Sequence, residues 1–252
     1  MTKTIAVAGK GGTGKTTIAA LIIDTLSKKG SVLAIDADPA SNLNMALGVP
    51  LDVTVGDVRE EMLVSVKSGK FSPGIAKQDY LDIRINEALV ETKEFDLLAM
   101  GRPEGPSCYC AANNMLRLCI DRLGNSYDYV VIDNEAGMEH ISRQTTRDVN
   151  LLLLVSDPSV RGVTTAGRTK ELTHELRTKV DKTVLVINRA NSSLSPEVER
   201  VIASYGMDLA AIIPSDARVG ELDAEGQPLT GLPADAPVRR AVEQLLTQAG
   251  LL

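Results

Sequence analysis

The sequence predicts an α/β protein built on a mostly parallel sheet of about seven to eight strands with helices on both faces. Three observations lead there. Short apolar runs alternate with longer stretches of helical periodicity over all 252 residues. Most of the runs are near-continuous Val, Ile, Leu and Ala without polar alternation, the pattern of strands covered on both faces. A glycine-rich turn, Gly9 to Thr17, directly follows the first run and opens a helical pattern.

Taken in order, the expected strands are residues 4–8, 31–35, 96–100, 129–132, 150–155, 183–187 and 208–213. Between them, Ile18, Leu21, Ile22 and Leu26 share one helical face, and Leu116, Cys119, Ile120 and Leu123 another. Val238, Ala241, Val242, Leu245 and Leu246 give the last helix an apolar stripe. The Gly/Pro-rich stretch from Gly226 to Pro237 before it reads as a loop, so residues 1–252 are expected to form one domain. The least regular region, 50–95, is expected to be an insertion of helices and loops at the sheet edge.

Composition narrows the function. With 44% hydrophobic and 24% charged residues the chain is an ordinary globular one. Its 27 Lys and Arg against 33 Asp and Glu give −6, so charge does not favour nucleic acid or anionic lipid. No Trp and two Phe leave no stacking platform for bases. A strand begins almost at once, and no apolar run approaches the roughly eighteen residues that span a bilayer, so a cytoplasmic protein is expected. Three cysteines, two of them one residue apart, suit a reducing compartment better than a disulfide framework.

The glycine-rich turn fits G-x-x-x-x-G-K-[ST] as Gly9, Gly14, Lys15 and Thr16, between a strand and a helix as that motif requires. Glycines at 9, 11, 12 and 14 let the backbone take positive φ and turn its N–H groups toward a polyphosphate at a helix N-terminus. Gly11, Gly12, Thr13, Gly14, Lys15, Thr16 and Thr17 are therefore expected to bind nucleotide, with Lys15 reaching the β- and γ-phosphates and Thr16 binding Mg²⁺.

The form Lys-Gly-Gly-x-Gly-Lys-Thr-Thr from Lys10 to Thr17 resembles the deviant phosphate loop of the MinD/ParA ATPases and the nitrogenase iron protein. The resemblance covers nearly the whole chain and implies a P-loop fold of that type. It also implies a nucleotide-sandwich homodimer in which Lys10 crosses to the partner's phosphates.

Asp36 and Asp38 follow the second strand, where ligands sit in open α/β sheets. The resemblance assigns Asp38 to orienting the attacking water; Asp36 is expected either to support the Mg²⁺ shell or to cap the next helix. Asp133, ending Tyr129-Val130-Val131-Ile132, has the form of a carboxylate beside Mg²⁺. Residues Asn134 to His140 look like a second switch, with Gly137 able to rotate. Glu135 and His140 read either as acid/base groups or as a helix-start carboxylate and a surface histidine.

In Asn188-Arg189-Ala190-Asn191 the fourth position is Asn where guanine-specific proteins use Asp, so ATP is favoured over GTP. The resemblance assigns Asn188 to adenine and Pro214 to the wall beside it, although Pro214 also fits a plain turn.

Cys108-Tyr109-Cys110 precedes the helix that contains Cys119. Thiolates near a helix N-terminus are acidic and ready metal ligands, though a redox pair or incidental cysteines have the same spacing. One C-x-C supplies two sulfurs, and a twofold dimer would bring two pairs together as a Cys₄ site. Cys-Tyr-Cys-x-x-Asn, with the later Ala-Gly-x-Glu-His, resembles the CooC-type accessory ATPases of nickel carbon monoxide dehydrogenase and their sister proteins for acetyl-CoA synthase. This implies Cys108 and Cys110 as ligands of Ni²⁺, with Zn²⁺ equally suited to thiolates. It also implies a nickel–iron–sulfur client enzyme. No cysteine lies between 120 and 252, so the cluster site of the nitrogenase iron protein cannot be built in the same way.

Overall fold

The computed structural model describes residues 1–68, 77–102, 110–136, 149–175, 179–190 and 193–252, with side chains omitted at 77–79, 81–82 and 110–113. Its eight-stranded sheet runs β3-β4-β2-β5-β1-β6-β7-β8. The strands are β1 (Lys3–Gly9), β2 (Val32–Ala37), β3 (Val90–Glu91), β4 (Asp96–Ala99), β5 (Tyr129–Asn134), β6 (Val149–Ser156), β7 (Val180–Asn188) and β8 (Leu209–Ile213). Every pairing is parallel except β3 with β4. The expected sheet is present, and the strand outside the seven expected ranges is β3, whose two residues are too short for a periodicity to register.

Side chains on a strand alternate between faces. In β1, Ile5 and Val7 enter one core while Ala6 and Ala8 enter the other. The first core is shared with α1 (Lys15–Leu26), α2 (Leu43–Leu47) and α9 (Pro237–Gln248), and α8 (Ala217–Ala224) packs against its rim. The second is shared with α3 (Val55–Lys67), α4 (Lys77–Glu87), α5 (Cys110–Leu123), α6 (Val160–Glu175) and α7 (Pro196–Ser204). Within 50–95, Val55, Val58, Ile85 and Ala88 are buried in this second core, and β3 forms the edge of the sheet.

Helix α1 is more enclosed than its four-residue stripe predicts, because Ala19, Ala20 and Ile23 are buried as well. The cause is α9, which lies over α1 and buries Val238, Val242, Leu245 and Leu246, each worth about 1.5–3 kcal/mol. Arg239 of α9 is buried and paired with Asp24 of α1. In β6, Asn150 accepts from the Thr4 amide at 2.8 Å and donates to Asp181 at 2.7 Å, fixing the register of three strands at the end remote from the glycine-rich turn.

Among the described residues no helix is long and apolar enough to cross a membrane.

Candidate nucleotide site

The carboxyl ends of β1, β2, β5 and β7 bring the candidate residues to one rim of the sheet. Gly9 has φ +153°, and a Cβ there would stand 2.2 Å from the Val155 carbonyl oxygen of β6. Gly12 and Gly14 have φ of +79° and +86°, which favour glycine. Gly11 departs from expectation: it takes no positive φ, and a Cβ on it would meet only Ala136 at an ordinary 3.5 Å.

Gly14 begins α1 without a side-chain cap and without an acidic residue in the first turn, so the helix N-terminus presents N–H donors and a positive dipole end. Lys15 is buried, its Nζ 3.5 Å from the Lys10 carbonyl oxygen. Burial lowers its pKa, while Asp133, Asp38 and Glu135 oppose that shift. The Lys10 carbonyl also accepts from the Thr13 hydroxyl at 2.8 Å, and the Lys10 side chain is exposed. Thr17 lines a cavity beside the turn.

Thr16 donates its hydroxyl to Asp133 Oδ2 at 2.6 Å. The other oxygen, Asp133 Oδ1, is buried without a hydrogen-bond partner. Desolvation is the main reason that the Asp133 pKa is pushed up to about 7. A buried, unpartnered carboxylate oxygen beside a hydroxyl is a hard-oxygen pair suited to Mg²⁺, which takes one or two protein ligands and completes its shell with water and phosphate. Among the described residues no group of three or more His, Cys, Asp or Glu side chains is arranged to hold a metal ion by itself.

Asp36 is fully buried, and both its oxygens are engaged by backbone: Oδ1 accepts from the Asp38 N–H at 3.1 Å and Oδ2 from the Leu43 N–H at 2.9 Å. These two bonds tie Asp36 to the start of the next helix. Desolvation pushes its pKa up to about 6. Asp38 is half-buried, and its Oδ1 accepts from the Ala40 N–H at 2.9 Å.

Asn188, expected at the base, is seen bracing the phosphate loop. Its Nδ2 donates to the Thr13 carbonyl at 2.8 Å and its Oδ1 accepts from the Arg189 N–H at 3.0 Å. Arg189, at φ +59°, donates to the Gly12 carbonyl at 3.2 Å. Asn188 and Pro214 line the same cavity of about 570 Å³ as Thr16, Thr17, Asn42, Met45 and Ala46. That is the size of a small-molecule site. Asp216, another lining residue, accepts two bonds from Arg218, both 3.0 Å.

Two side-chain contributions were not read from the sequence: the Arg189 bond to the phosphate loop and the Asn134 bond to β1. Arg189 carried no signal beyond its place after Asn188. Asn134, next to Asp133, is buried, donates from Nδ2 to the Val7 carbonyl at 3.0 Å and keeps Oδ1 unpartnered. Glu135 is half-buried beside this strand end.

Cys108, Gly137, His140 and Asn191 lie outside the described residues, so the structure is silent on the C-x-C ligands, the second switch and the fourth position of the base motif. Cys110 is the first residue of α5, its side chain not described. Cys119 is buried as expected, and desolvation pushes its thiol up to about 12, which makes it unreactive.

A family model described as the CobQ/CobB/MinD/ParA nucleotide binding domain matches residues 4–229. The chain belongs to this family. An uncharacterized ATP-binding protein of Methanocaldococcus jannaschii is 46% identical over 246 residues, 96% of each chain. The carbon monoxide dehydrogenase accessory protein CooC of Rhodospirillum rubrum is 32% identical over 237 residues, 88% of this chain and 87% of that protein. Among solved structures, the septum site-determining protein MinD of Pyrococcus horikoshii, complexed with Mg-ADP, superposes with a TM-score of 0.71 at 22% identity, over 98% of this chain and 96% of that one. The fold is thus that of the MinD/ParA P-loop proteins.

Proposed function

We propose that residues 1–252 form one Mg²⁺-dependent, dimerising ATPase domain. In this reading its cycle controls a nickel ion held between two copies by Cys108 and Cys110 and handed to a nickel–iron–sulfur enzyme, carbon monoxide dehydrogenase or acetyl-CoA synthase. The observation that carries the client is the likeness to a carbon monoxide dehydrogenase accessory protein along nearly nine-tenths of both chains.

In this reading the uncapped start of α1 and Lys15 bind the phosphates, and Thr16 with Asp133 Oδ1 holds Mg²⁺. The cation, when bound, neutralises charge on the β- and γ-phosphate oxygens. Asp38 orients the attacking water with the carboxylate oxygen that Ala40 does not engage. Lys10, exposed at the rim, completes the phosphate site of a second copy. Asn188 and Pro214 face the adenine.

A positioning ATPase tethered to a membrane would need an amphipathic helix with an apolar face to spare. In α9 that face is buried and Arg239 is paired with Asp24, so α9 itself does not supply it. Nucleic acid is disfavoured by the net charge of −6. Molecular mass against concentration, with nickel or zinc and with ADP or ATP, tests the reading. Dimers are expected with metal in wild type, and Cys108→Ala/Cys110→Ala should lose the metal-driven dimer and keep ATP binding. Metal-driven dimers that persist in the double variant would refute it.

A further inference from the structure

Helix α2 has five residues, too few to be stable alone, and is held from outside. Leu43 and Leu47 are buried in the first core. At its end Gly48 has φ +75°, and a Cβ there would stand 2.7 Å from Pro228. At its start the Leu43 N–H rests on Asp36 Oδ2. On the outward side Asn42, Met45 and Ala46 form one wall of the 570 Å³ cavity, with Met45 60% exposed.

The same Asp36 carboxylate holds the Asp38 N–H with its other oxygen. The link from Asp38 to Asn42 therefore has both ends tied to one buried side chain. Inside the link Ser41 stands at φ +47°, a left-handed conformation rarely taken by a residue with a Cβ and one that stores strain. A base that moves α2 in the cavity must displace the Asp36 carboxylate or redistribute this short strained link, and either moves Asp38.

We propose that Asp36 is a positioning residue, a clasp through which a nucleoside base in the cavity sets the place of Asp38. The inference rests on the ATPase reading above. Base occupancy then raises turnover as well as affinity, because a displacement of about 1 Å at a water-orienting group is enough to change rates as much as a hundredfold.

The test compares hydrolysis of Mg·ATP with that of Mg·tripolyphosphate, which has the phosphates and no base, in wild type and Asp36→Asn over a range of Mg²⁺. The amide replaces one acceptor with a donor facing a backbone N–H, opening the clasp at nearly constant volume. Wild type is expected to turn over ATP with a kcat on the order of tenfold above tripolyphosphate. Asp36→Asn should abolish the preference for ATP, bringing the ratio of kcat on ATP to kcat on tripolyphosphate close to one, with half-saturating Mg²⁺ unchanged. Met45→Ala, on an exposed face, should lower the ratio of kcat on ATP to kcat on tripolyphosphate, and it decides the matter if Asp36→Asn does not fold. Equal kcat on both substrates in wild type overturns the clasp. So does an Asp36→Asn protein that needs about tenfold more Mg²⁺ yet keeps its preference for ATP, because that places Asp36 in the cation shell. Wild type that hydrolyses neither substrate refutes the ATPase reading and the clasp with it.

Discussion

Replacing Gly14 by Ala probes the brace between the phosphate loop and β7. The residue sits at φ +86°, and the new Cβ would stand 2.3 Å from Asn188 Nδ2. The left-handed backbone costs an L-residue about 1–2 kcal/mol. Asn188 must also swing away from the Thr13 carbonyl, losing a buried 2.8 Å bond, and a buried acceptor left unsatisfied costs about 1–3 kcal/mol. The sum is about 2–5 kcal/mol, or roughly 4–20 °C in Tm for a chain of this size. Gly12→Ala is the matched control, because Gly12 has φ +79° in the same loop and open space around its Cβ position. It should show the backbone cost alone, about 1–2 kcal/mol. Thermal unfolding of the ligand-free variants, followed by circular dichroism, measures both. Equal shifts for Gly14→Ala and Gly12→Ala would falsify the Asn188 brace.

Three further outcomes are expected. Lys15→Ala should abolish tight nucleotide binding, whereas Lys10→Ala should leave a monomer's affinity nearly intact and remove ATP-driven dimerisation and hydrolysis; equal losses by titration calorimetry would rule out a role for Lys10 across the dimer. Asp38→Ala should bind ATP and dimerise but hydrolyse it slowly, accumulating the closed dimer, and normal turnover would reduce Asp38 to a turn-former. The ligand-free protein should lose stability as pH rises from about 4 to about 7, because burial raises Asp36 to about 6 and Asp133 to about 7 and the folded state holds those protons more tightly than the unfolded chain. The stabilisation is full below the unfolded carboxylate pKa and fades through the folded values. Asp133→Asn should flatten the slope, and an unchanged slope would contradict the burial argument.

The sheet was legible because its central strands are buried on both faces and leave unbroken apolar runs, as in Ile5 to Ala8 and Leu151 to Val155. The phosphate loop was legible because its glycines and lysine are local in sequence. What stayed hidden depends on contacts between distant segments. Asn188 is 175 residues from the Thr13 carbonyl it braces, and nothing near either residue announces the bond. Asp36 read as a carboxylate of the cation shell, with helix capping as the alternative, and its bonds to the Leu43 and Asp38 N–H groups had no signal in the sequence. Helix α1 showed a one-sided stripe because its second covering, α9, comes more than two hundred residues later. Gly11 shares the composition of its loop but not the backbone need, which only the path of the chain reveals.

The central claim is that two copies share one metal through Cys108 and Cys110. Metal content per protein, measured by plasma emission after nickel loading and gel filtration under reducing conditions, tests it most directly. One nickel per dimer is expected in wild type and none in Cys108→Ala/Cys110→Ala. One nickel per monomer, or unchanged nickel in the double variant, would contradict the shared site.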